Sequence, residues 1–193
     1  IQAEYLTIEE LLTASLRDEI VPIFYFDTNV ILDIIDRRKE SSLRLYDFLI
    51  QKNWSMVTSV FAKVEIYETK QKDRFRQEKE LLGWTGEKIR KNMDKRRDLT
   101  NDTLKSIAER INSNLNDVII HFNPFTHLDK DEDWVLAEGI KEKTNLSDKD
   151  SIHLAEALSI NCRIFLTRDQ FLLNIARNYI FSANPDEIMD VLQ

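Results

Sequence analysis

Short apolar runs with an acidic residue at or near their ends, separated by stretches of helical periodicity, constrain this chain more than any other feature. Ile23-Phe24-Tyr25-Phe26 stops at Asp27, and Ile164-Phe165-Leu166-Thr167 leads to Asp169. Glu65 follows the run from Met56 to Phe61, and Asp150 opens Asp150-Ser151-Ile152-His153-Leu154-Ala155. Strands alternating with helices argue for an α/β fold around a parallel sheet. In such a sheet, residues just past strand ends converge on one crevice outside the carboxyl edge. Four carboxylates gathered there repel one another unless a cation lies between them. Hard, oxygen-seeking ions such as Mg²⁺ or Mn²⁺ meet that need. The pattern therefore points to a metal-dependent enzyme.

The same periodicities set expected element bounds. Thr7 to Glu19 reads as a helix, with Thr7 and Glu10 spaced as a capping box. A strand through Phe26 precedes helices at about 28–37 and 42–52 and a second strand near 55–58. A helix then enters a charged stretch in which Phe75 is the only apolar side chain between Lys70 and Glu80. So few apolar positions cannot lay a helix fully against a core, so it is expected to project. Gly83-Trp84-Thr85-Gly86 interrupts it, and charged helices resume through about Leu115. The third strand is expected over Asp117–Phe122, with helices over Asp131–Lys143 and Asp150–Ile160. The fourth strand is expected over Arg163–Thr167, a helix over Phe171–Arg177 and the fifth strand over Tyr179–Ser182. A last short helix begins at Asn184-Pro185-Asp186-Glu187 with proline at its first turn. This gives one domain over 1–193, with an extra N-terminal helix (about 7–19) and a charged helical insertion (about 70–115).

Absences narrow the chemistry. The glycines are Gly83, Gly86 and Gly139 alone, so no glycine-rich turn follows the first strand. Dinucleotide-binding, P-loop and nucleophile-elbow readings fall away together. An aspartyl-phosphate phosphatase would want a second acid two positions after Asp27, where Asn29 stands. His121, His127 and His153 lack metal-ligand spacing, and His153 reads as packing or as support for a ligand. The single cysteine, Cys162, allows no internal disulfide and suits a reducing compartment. With no signal-peptide pattern and no apolar run of membrane-spanning length, a cytoplasmic location is expected. Net charge is −7 but uneven: Lys70–Arg97 carries eleven basic and five acidic residues, +6 against −13 for the remainder. Phosphate backbones respond to such local patches, and the other reading is a solvated helix laced with ion pairs.

Taken in order, the motifs resemble one family. Phe26-Asp27-Thr28-Asn29-Val30-Ile31-Leu32 resembles the opening of PIN-domain ribonucleases, and Thr58 to Glu65 their strand-to-helix segment ending in glutamate. Asp150-Ser151-Ile152-His153-Leu154-Ala155-Glu156-Ala157 is similar to the family's acidic helix. Phe165-Leu166-Thr167-Arg168-Asp169 resembles its T-x-D strand. Phe181 to Glu187 matches its closing strand and proline-led helix. The resemblance covers about Ile23 to Leu192 apart from the insertion.

It implies a three-layer α/β sandwich with a central parallel five-stranded sheet and an endoribonuclease using Mg²⁺ or Mn²⁺. Asp27, Glu65, Asp150 and Asp169 would form the catalytic, metal-binding site, with Asp27 and Asp150 as direct ligands. Thr28, Asn29 and Thr167 would orient a carboxylate or a metal-bound water. RNA is the implied substrate, with Arg74, Arg76, Arg96 and Arg97 as its contacts; an antitoxin-like protein and a homodimer are the implied partners. Toxin members of the family are shorter than this chain, and both the insertion and the N-terminal helix depart from them. Asp27, Asp150 and Asp169 each have a structural reading as helix caps, and Glu65 as an exposed glutamate. Arg168 reads as a solvated arginine or a phosphate contact. The rival functions are a non-catalytic PIN-like RNA- or protein-binding module and a DNA-directed nuclease.

Overall fold

Five strands form a single parallel sheet in the computed structural model, which describes residues 8–17, 21–94, 99–123 and 131–192. They are β1 (Ile23–Phe26), β2 (Ser55–Ser59), β3 (His121–Asn123), β4 (Ile164–Leu166) and β5 (Phe181–Ala183), in the order β3-β2-β1-β4-β5. Ile23 pairs with Ser55 on one side of β1, and Phe24 with Ile164 on the other. Successive strands leave β1 first toward β3 and then toward β5, so the strand order reverses between β1 and β4. In open α/β sheets, ligands bind at that reversal, outside the carboxyl ends.

The chain divides into two compact units, residues up to Val60 together with those from Ile119, and Phe61–Val118. In the first, alternation along the strands sends side chains to both faces of the sheet. Tyr25 and Phe165 stack at 5.4 Å and share a core with Ile140 of α7 (Asp131–Thr144) and Leu154 of α8 (Asp148–Ser159). On the opposite face, Phe24 stacks on Trp54 at 5.9 Å, and Trp54 meets Phe48 of α3 (Glu40–Gln51) edge-on at 5.8 Å. Helices thus cover both faces, as a fully buried parallel sheet requires. Phe24, Tyr25 and Phe26 are wholly buried, each contributing about 1.5–3 kcal/mol. The remaining helices of this unit are α1 (Ile8–Leu16), α2 (Thr28–Ile35), α9 (Gln170–Ala176) and α10 (Pro185–Val191). Asn184 and Glu187 close a reciprocal capping box on α10.

The second unit holds α4 (Phe61–Leu81), α5 (Gly86–Lys91) and α6 (Asn101–Asn116). The one apolar residue of its charged stretch, Phe75, is buried with Ile89 and Leu99, and Trp84, Met93, Leu104 and Ile107 pack around them. Lys88 Nζ lies 4.2 Å and Lys79 Nζ 5.4 Å from the Trp84 ring centroid, so both ammonium groups meet a π face at the α4–α5 turn. Gly83 takes φ +75° there, a conformation that a side chain would strain.

Among the expected boundaries that move, the fifth strand is Phe181–Ala183 rather than Tyr179–Ser182, and those at β3 and α8 move for local reasons. The third strand is shorter than Asp117–Phe122, because α6 continues to Asn116 and Asp117 is its C-cap. Helix α8 begins two residues before Asp150, because the Ser147 hydroxyl accepts from the Asp150 amide and caps it. The capping residue expected at Thr7 lies outside the described residues.

Candidate active site

Asp27 stands at the carboxyl end of β1 beside the strand reversal, 5% exposed. Its amide donates to Leu166 O of β4 at 2.9 Å, extending the ladder one residue past the strand. As N-cap of α2, it accepts from the Thr28 amide through Oδ1 at 2.7 Å. Its Oδ2 accepts from Thr167 Oγ1 at 2.6 Å and Asn29 Nδ2 at 2.5 Å. Asn29 is itself held, its Oδ1 accepting from the Arg168 amide at 2.9 Å. Thr167 Oγ1 also accepts from the Asp169 amide at 3.0 Å. The three residues expected to orient a carboxylate all donate to Asp27, two from the first turn of α2 and one from the residue that follows β4. Each oxygen receives at least one fixed donor, so the carboxylate has a single orientation without a long side chain to order.

A second polar chain runs beneath it. His153, 1% exposed on α8, places Nδ1 2.8 Å from the Tyr25 hydroxyl and Nε2 3.4 Å from Thr28 Oγ1. The Tyr25 hydroxyl also donates to Glu156 Oε2 at 3.4 Å. Burial first, then the charges of Glu156 and Asp27, push the Tyr25 phenol well above its ordinary range, so it stays protonated. Burial, with a smaller contribution from Glu156, likewise raises the Cys162 thiol and makes it a poor nucleophile. A His153 ring nitrogen and an Asp27 oxygen lie within 4.8 Å of each other. Sequence reasoning missed this chain. Its signal was the i, i+3 spacing of His153 and Glu156 on a helix packed against the face that Tyr25 points into.

The other acids are placed differently. Asp150 is half-buried at the third position of α8, and its Oδ2 accepts from Ser147 Oγ at 2.7 Å. Asp169 is exposed and caps α9, its Oδ1 accepting from the Leu172 amide at 2.9 Å. Neither comes within 4.8 Å of both Asp27 and His153. Glu65 is half-buried at the fifth position of α4, in the second unit. Arg74 and Arg76 are exposed on that helix, Arg74 pairing with Glu78 at 2.9 Å; Arg96 and Arg97 lie outside the described residues.

Arg168 is neither a solvated arginine nor open to a phosphate. It pairs with Asp33 of α2 and with Asp186 of α10 at 2.7 Å, and donates to Ser41 and Ser42 of α3 at 2.7 and 2.8 Å. Its side chain is 19% exposed, its fork spent on binding three helices together. Hydrogen bonds from Ser41 and then Arg168 hold the Asp186 carboxyl below its usual range.

The donor set fits a divalent ion. A buried, fixed carboxylate suits Mg²⁺ or Mn²⁺ through oxygen and water, and an imidazole nitrogen within reach suits a later first-row ion. No family model and no curated protein sequence matches the chain. Among solved structures, it is similar to VapBC2 from Rickettsia felis bound to a DNA fragment from its promoter. Identity is 12%, with 84% of this chain and 98% of that chain covered and a TM-score of 0.52. The structure of FitAB bound to an IR36 DNA fragment is also similar, at 18% identity, 84% and 94% coverage and a TM-score of 0.44. The chain has the PIN-domain fold. That fold, with its acid at the end of the first strand, is what the motifs of the sequence imply.

Proposed function

We propose that this PIN-fold protein is a metal-dependent endoribonuclease whose chemistry centres on Asp27. The observation that carries the proposal is the threefold fixing of a buried carboxylate at the strand reversal, by Thr28, Asn29 and Thr167. Ordering a charged group so tightly at a ligand-binding edge is preorganisation, and it serves a cation better than it serves stability. Mg²⁺ or Mn²⁺ held there supplies activation of water and a sink for charge on the phosphoryl oxygens.

Asp27 binds the ion directly in this reading. Asp150 would hold it directly as well, and Glu65 and Asp169, the latter from the start of α9, would bind through water or complete a second site. The sequence resemblance assigns Glu65 to the same acidic set. Thr28, Asn29 and Thr167 keep the Asp27 oxygens from rotating as phosphate arrives. Arg74, Arg76, Arg96 and Arg97 supply backbone contacts to RNA. Water adds across the P–O3′ bond, leaving a 5′-phosphate and a 3′-hydroxyl. A protein partner of antitoxin type, in a cytoplasmic setting, and a homodimer complete the proposal. VapBC2 gives the precedent of this fold in a two-protein assembly.

One observation favours a second reading. Asp169 spends an oxygen on capping α9 and Asp150 spends one on the Ser147 hydroxyl at the start of α8, as acids would in a PIN-like module that binds RNA or protein without cutting. Incubation of matched single-stranded RNA and DNA with Mn²⁺, with and without EDTA, decides among the readings. Cleavage of RNA alone, abolished by EDTA, is expected. Cleavage of neither supports the binding module, and cleavage of DNA supports a DNA-directed nuclease.

A further inference from the structure

Resting on the metal site just proposed, we infer that His153 is a nitrogen ligand of the ion at Asp27, and that Tyr25 and Glu156 set its tautomer. A phenol has one proton. The Tyr25 hydroxyl stands 2.8 Å from His153 Nδ1 and 3.4 Å from Glu156 Oε2, and only the histidine and the phenol can supply protons to these contacts. Both are satisfied at once when Nδ1–H donates to the phenol oxygen and the phenol donates to the carboxylate. The proton of a neutral imidazole then lies on Nδ1, and Nε2 carries its lone pair. The contact at Nε2 agrees, because Thr28 Oγ1 at 3.4 Å can donate to it.

Nε2 is the ring nitrogen on the side of Thr28, the residue next to Asp27. An Asp27 oxygen and a His153 ring nitrogen are within 4.8 Å, a span that two ligands of one ion at about 2.1 Å each can close with a small shift. Tyr25, His153 and Glu156 are all at most 2% exposed, so the ring is held by packing as well as by hydrogen bonds. A carboxylate acting on a ligating histidine usually does so directly. Here the phenol stands between them and passes on the orientation. The consequence is selectivity. Imidazole binds later first-row ions far better than Mg²⁺, which prefers oxygen, so this site favours Co²⁺ beyond what carboxylates alone would give.

Titration calorimetry with Co²⁺ and with Mg²⁺, on the wild type, Asp27→Asn and His153→Gln, tests the assignment. Loss of His153 is expected to weaken Co²⁺ by at least about 10-fold and Mg²⁺ by less than about 3-fold. Equal factors for the two ions, or no change in either, overturn the assignment of His153. If Asp27→Asn removes binding of both ions while His153→Gln leaves their ratio intact, the metal site stands and only the histidine ligand falls. If the wild type binds neither ion, the proposed function falls with it. Should His153→Gln fail to fold, proton NMR of Co²⁺-loaded wild type gives a second reading. A hyperfine-shifted, exchangeable imidazole N–H that is lost in Asp27→Asn is expected, and its absence overturns the inference.

Discussion

Arg168 sits two hydrogen bonds away from Asp27, its amide holding Asn29 while its guanidinium is taken up by Asp33, Asp186, Ser41 and Ser42. Its guanidinium reaches Ser41, more than 120 residues distant along the chain, a relation that no local pattern encodes. Asp27, by contrast, was legible, because an acid ending an apolar run has one place to stand in a parallel sheet. Replacing Arg168 by methionine leaves Asp33 buried without its cation, at a cost of about 3–5 kcal/mol in urea denaturation. Asp186 gives a pH signature. Its carboxyl is held below the unfolded value, so the stability it contributes is present above the usual carboxylate range and is lost as pH falls through the folded value. The melting-temperature gap between wild type and Asp186→Asn should therefore be open at neutral pH and closed in strong acid. A gap that persists there would mean the residue acts through packing.

Helix starts carry much of what the sequence says about function, since capping and metal binding ask for the same residues. At α8, the Ser147 cap brings Asp148 into the helix as its first residue, exposed and paired with Lys141. Asp150, two residues on and about 200° around the helix, adjoins the buried stretch from Ser151 to Ala157 and is half-buried. Asp150→Ala is expected to remove RNA cleavage, whereas Asp148→Ala should cost under about 1 kcal/mol and leave turnover intact. The opposite result in a cleavage assay would move the site to the first residue of α8. The boundary at β3 was harder to read. Asn116-Asp117 ends a helix as readily as it starts a strand, and only the extent of α6 decides between them.

At the scale of the whole chain, alternation of strands and helices was enough to give a five-stranded parallel sheet, because buried strands and amphipathic helices differ in period. The charged stretch was less transparent, since a core built from Phe75 and residues up to 32 positions later leaves almost no local periodicity. Phe75→Ala is expected to cost about 3–5 kcal/mol and to lower amide-exchange protection within 61–118. Unchanged exchange there would mean that the Phe75 core contributes little to holding that unit together.

The account turns on Asp27 as the centre of a metal-dependent ribonuclease. Cleavage of a fluorescent single-stranded RNA by wild type and by Asp27→Asn, side by side in saturating Mn²⁺, addresses that directly. Asparagine keeps the size and the capping oxygen at the start of α2 but discards the charge. The account predicts a circular dichroism spectrum unchanged from wild type and a rate lower by about 100-fold or more. A variant that folds and cuts RNA at the wild-type rate would contradict it.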